Sequence, residues 1–141
     1  MTLTAYQKQF SIHVVGEATG KTYTGDFVVQ VVLGSRHHFL TDQLYRKYLG
    51  GDPTHADSDV KFRAKVLSEI NGAIVQAPLF WREEGDGVDL LDDNVLSEVY
   101  SGLLKKVEEF ENERQEKTKA AADKLKATVE KAAAKTDSAK E

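Results

Sequence analysis

Phe10, Ile12 and Val14 alternate with Ser11 and His13 near the start of the chain. Further on, Tyr23, Phe27, Val29, Val31 and Leu33 fall on one face at the same period of two. Both stretches are rich in β-branched and aromatic residues. They predict an antiparallel β-hairpin over about Lys8–Val15 and Tyr23–Leu33. Gly34-Ser35 then breaks the alternation, and the period lengthens. Phe39, Leu40, Leu44, Tyr45, Tyr48 and Leu49 recur at helical spacing, with Ser35 as the expected N-cap. Gly50-Gly51 ends this helix, and Asp52-Pro53 reads as a turn.

A second helix is expected from Asp57 or Ser58, with Val60, Ala64, Leu67, Ile70 (or Asn71) and Ile74 as its apolar stripe. Pro78 is expected to stop it. A third starts after Asp92-Asp93, which suit a helix N-terminus by capping and by dipole. Its buried side is Val95, Leu96, Val99, Tyr100, Leu103, Leu104, Val107 and Phe110. The expected fold class is therefore α+β: an N-terminal antiparallel β-hairpin packed on three α-helices. Residues 1–110 form the body. Residues 111–141 are built of Ala, Lys and Glu, with Leu125 and Val129 as the only large aliphatics. This tail favours helix but has little to bury, so it reads as a helical or disordered extension.

Composition narrows the function classes. The body carries 11 basic and 16 acidic groups and the tail 8 and 7, giving nets of −5 and +1. Neither has the basic stripe of a nucleic-acid binder. There is no cysteine, which removes disulfides and thiolate chemistry and suits a reducing cytoplasm. No long apolar run predicts a membrane span, and MTLTAYQKQF lacks the blocks of a signal peptide.

The stretch VVGEATGKTYT, Val14 to Thr24, resembles a phosphate loop, with Gly16, Gly20, Lys21 and Thr22 in suggestive places. The motif needs four residues between its first glycine and the Gly-Lys pair, and it must open a helix. Here only Glu17, Ala18 and Thr19 intervene, and a strand pattern follows. The better reading is a hairpin turn using Gly16 and Gly20 for positive φ. His13, His37, His38 and His55 show no metal-binding spacing. Six carboxylates lie between Glu83 and Asp93, but no calcium-loop register fits them. They read as a solvated loop whose last aspartates cap the third helix. No nucleophile, orienting histidine or substrate clamp accompanies them, so no catalytic site, cofactor or metal is expected. Ala77–Trp81 places the only tryptophan in a loop, where it either closes the core or forms a contact patch.

The order TGKTYTGDF, LGG, QAPLFW and GVDLLDDNVLSEVY, then a charged tail, resembles small proteins of the structural-gene blocks of tailed bacteriophages. Some of these are tail assembly chaperones or tail accessory proteins. The similarity spans about Leu3 to Phe110 and is most specific at Tyr23–Phe27, Ala77–Trp81 and Gly87–Tyr100. The pattern often has two tryptophans after the proline, where this chain has Phe80-Trp81. The resemblance implies a protein of the host cytoplasm that acts by binding the tape-measure protein. The alternative is a virion component: a capsid, neck or tail accessory subunit present in many copies. The expected contact residues are Leu79, Phe80, Trp81, Val88, Leu90 and Leu91. A two-stranded ribbon is marginal alone, so a homo-oligomer is also expected.

Overall fold

A computed structural model describes residues 2–50 and 57–139. The chain forms two compact units, residues 1–107 and 108–141. In the first, strands β1 (Gln7–Val15) and β2 (Thr22–Gln30) pair antiparallel, with Phe10 opposite Phe27, Ile12 opposite Gly25 and Val14 opposite Tyr23. The alternation read from sequence holds along this hairpin. Phe10, Ile12, Tyr23, Phe27 and Val29 are buried, and the Phe10 and Phe27 rings stack with centroids 5.2 Å apart. The opposite face is polar in its middle, where Ser11 donates to Asp26 and the His13 ring bonds to Thr24, while Val28 on that face is buried.

Helix α1 (Ser35–Leu49) follows, with Gly34 rather than Ser35 at the N-cap; the Gly34 N–H donates to His37 Nδ1. Gly50 closes α1 in the left-handed conformation, while the expected turn at Asp52-Pro53 lies outside the described residues. Helix α2 (Ser58–Ala73) is capped by Asp57, whose carboxylate accepts the Val60 N–H at 2.9 Å. It ends five residues before Pro78, because the chain becomes extended at Ile74 and forms β3 (Ile74–Gln76). This strand adds antiparallel to β2, giving a sheet of order β1-β2-β3. The expected hairpin is thus a three-stranded sheet. A short helix α3 (Leu79–Glu83) stands where sequence suggested a loop, and α4 runs from Asp93 to Ala139.

Val95, Leu96, Val99 and Leu103 of α4 are buried in the first unit, together with Ala64, Val66, Leu67 and Ile70 of α2. Trp81 completes this core. Its ring meets Phe27 edge-on at 5.6 Å, and its indole N–H donates to Asn71 Oδ1 at 3.0 Å. Asn71 in turn donates to the Tyr48 hydroxyl and the Asp86 carbonyl, both at 2.9 Å, so its polar atoms are satisfied although it lies on the apolar stripe. The second unit is helical through Ala139, and every described side chain from Glu111 to Ala133 is exposed.

Candidate partner-binding surface

The phosphate-loop resemblance has a structural answer. The loop joins β1 to β2, and its donors close on a carboxylate of the chain itself. Asp92 is buried and sits just before α4. Its Oδ1 accepts the Ala18 N–H at 2.7 Å and the Thr19 N–H at 2.9 Å. Its Oδ2 accepts the Thr19 hydroxyl at 2.7 Å and the Tyr23 hydroxyl at 2.9 Å. Next to it, Asn94 accepts the Glu17 N–H and donates to the Val15 carbonyl. Successive backbone N–H groups in a turn form a concavity that suits an anion, and here the anion is Asp92.

Two expectations are corrected at this point. Gly20 has positive φ, at 75°, but Gly16 is not among the positive-φ glycines. Gly16 is required for another reason: a Cβ built on it would overlap the Asp92 carboxylate. Asp92 itself was expected to cap α4. Its carbonyl does accept from Val95 and Leu96, but its side chain turns away to hold the hairpin loop.

Burial works to raise the Asp92 pKa. Hydrogen bonds from Thr19, Tyr23 and Ala18 outweigh it and hold the carboxyl below its ordinary value. Burial, reinforced by the nearby Asp92 charge, pushes the Tyr23 phenol up, although the Thr19 hydrogen bond opposes this.

The six expected contact residues separate. Trp81 and Leu90 are core residues, and Phe80 is half-buried with its ring edge-on to Tyr23 and Phe27. Leu79 and Leu91 are about three-quarters exposed, at 73% and 74%, and Val88 is 45% exposed. Leu90-Leu91-Asp92-Asp93 alternate in and out, which is why two neighbouring leucines have opposite fates. Arg63 of α2 fixes this segment, donating to the Leu90 carbonyl and the Asp93 carboxylate, both at 2.7 Å.

Val88 belongs to a larger feature. An open groove of about 680 Å³ lies between α1, α2, the end of α3 and the loop that follows it. Leu40, Leu44, Val60, Ala64, Leu67, Ile74 and Val88 supply its apolar lining. Lys47 and Asp89 stand at its rim, as do Arg82 and Asp86, paired at 2.8 Å. Helix α1 buries none of its residues. Leu40 is 41% exposed and Val60 44%, and Phe39 beside them is 70% exposed. These side chains form a surface on α1 and α2, which pack against each other. Among the described residues, no His/Cys/Asp/Glu cluster has metal-binding geometry, and no helix is long and apolar enough to cross a membrane. Comparison with protein-family models, curated proteins and solved structures returned no match.

Proposed function

We propose that this protein is a non-enzymatic bacteriophage morphogenesis protein, a tail assembly chaperone that holds a helix of the tape-measure protein until tail subunits polymerise around it. The observation that carries the reading is the groove beside α1. A 15-residue helix with no buried residue leaves Leu40, Val60 and Val88 around an apolar trough. Such a trough suits an amphipathic helix presenting anchors at i, i+3, i+4 and i+7. The acidic balance of the chain, net −4, suits transient, salt-sensitive association in the host cytoplasm. The phage setting rests on the resemblance at Tyr23–Phe27, Ala77–Trp81 and Gly87–Tyr100. Leu40→Asp and Val88→Asp place a charge in the trough without touching the core. Each is expected to abolish co-purification with the tape-measure protein while circular dichroism stays unchanged. Retained co-purification in both folded variants would sink the proposal.

A second reading, a virion subunit, is favoured by the position of β1 at the edge of the sheet, where it could pair with a neighbour in a lattice. Quantitative mass spectrometry of purified particles separates the two. A fixed high copy number supports the virion subunit, and abundance in lysate with absence from particles supports the chaperone.

A further inference from the structure

We infer that β1 pairs with β1 of a second copy of this chain, antiparallel and centred on Ser11, making a two-fold dimer with a continuous six-stranded sheet. This inference is independent of the helix-binding reading.

The main-chain hydrogen bonds fix which groups of β1 point outward. At one end the Val31 N–H donates to the Tyr6 carbonyl, and at the other the Gly16 N–H donates to the Lys21 carbonyl, both at 2.8 Å. In an antiparallel ladder, bonded and non-bonded pairs alternate. Even-numbered residues of β1 therefore bond to β2, and odd-numbered ones turn their N–H and C=O away from it. Two of those outward positions are already engaged. The Gln7 N–H donates to the Thr4 carbonyl at 3.2 Å, and the Val15 carbonyl accepts from Asn94 Nδ2 at 2.9 Å. Between them, the outward main-chain groups of Gln9, Ser11 and His13 have no partner among the described residues. Neither Pro, Lys nor a bulge, the usual devices that protect an edge, occurs between Gln9 and His13.

The free stretch is symmetric about Ser11, so it is complementary to itself. Pairing Ser11 with Ser11 of the second copy sets Gln9 opposite the second copy's His13, and the reverse. All the free groups are used and no engaged one is disturbed. The same register sets buried Phe10 beside the second copy's Ile12, so apolar face continues into apolar face. A slip of one residue would put apolar against polar positions. A slip of two would demand groups held by Thr4 or Asn94. Lys8 falls opposite Val14, so no like charges meet.

The test uses the full chain. Sedimentation equilibrium at high micromolar concentration is expected to give about twice the 15.7 kDa of one chain. Ser11→Pro removes an outward N–H, which an edge strand tolerates, together with the exposed side-chain bond to Asp26, and is expected to return the mass to one chain with unchanged circular dichroism. Crosslinking keeps the proposal falsifiable if that variant fails to fold. The chain has no cysteine, so Ser11→Cys introduces a single thiol. Across the two-fold its Cα would lie about 5.5 Å from its mate, within disulfide range. In His13→Cys the mates would be about 13 Å apart at 3.3 Å per residue. Mild oxidation is expected to crosslink Ser11→Cys at least tenfold faster than His13→Cys. A one-chain mass for the natural protein, or equal crosslinking of the two variants, would overturn the dimer.

Discussion

Thr19 grips both oxygens of the Asp92 carboxylate, its N–H at 2.9 Å from Oδ1 and its hydroxyl at 2.7 Å from Oδ2, across 73 residues of sequence. This contact ties the tip of the hairpin to the start of α4. The loop that looks built for a phosphate is closed by the chain's own anion.

Asp92→Asn should therefore destabilise more than any surface change. It preserves shape but turns an amide NH₂ toward buried donors, leaving at least one unsatisfied. A fall in Tm of roughly 5 °C or more is expected for a body of this size. An unchanged Tm by calorimetry would show that the cradle contributes nothing to stability.

The same carboxylate sets an acid response. Its pKa is lowered on folding, so its contribution is complete above the ordinary value of 3.8 and is lost as pH falls through the lower folded value. Urea midpoints measured downward from neutrality should fall more steeply for the natural chain than for Asp92→Asn in that acid window. Parallel curves would contradict the assignment.

Gly16→Ala should also destabilise, by collision with Asp92 rather than by backbone strain. In an Asp92→Ala background the same change should cost much less, because the obstructing carboxylate is gone. Strict additivity of the two changes would place the collision elsewhere.

Core and surface members of the expected contact set should separate by stability. Trp81→Ala removes the ring that meets Phe27 and the donor to Asn71, and should cost about 3–5 kcal/mol. Leu79→Ala and Leu91→Ala should stay within about 0.5 kcal/mol of the natural chain. Chemical denaturation checks both statements.

At alkaline pH, Tyr100 should ionise late. Burial and the hydrogen bond to Glu69 push its phenol up to about 12. A pKa raised on folding stabilises fully below the unfolded value near 10 and is lost as pH rises through about 12. Ultraviolet titration of Tyr100→Phe should lack the corresponding late step.

The sequence made the hairpin, α2 and the start of α4 legible, because each buries one face and so carries a clean period of two or of about 3.6. Periodicity also placed α1, but not its surroundings: Phe39, Leu40 and Leu44 have helical spacing whether the stripe they form meets a core or lies open to a groove. Ile74–Gln76 is too short to show a period, so β3 merged with the preceding helix. Asp92 was misread for a different reason. Its position before an apolar helical run is a local signal for a cap, whereas its real partners, Ala18, Thr19 and Tyr23, are about 70 residues away in sequence. What could have pointed to them is the loop itself, whose backbone donors call for an anion. Within the contact set, alternation along Leu90-Leu91-Asp92 could have separated buried Leu90 from exposed Leu91.

The most direct test of the proposal that the trough beside α1 receives a helix is an amide NMR titration of the isotopically labelled full chain with a helical segment of the proposed tape-measure partner. The account predicts shifts concentrated at Leu40, Leu44, Val60 and Val88, with the Ala18–Thr19 amides that hold Asp92 unmoved. Shifts confined to other surfaces, or none at saturating peptide, would contradict it.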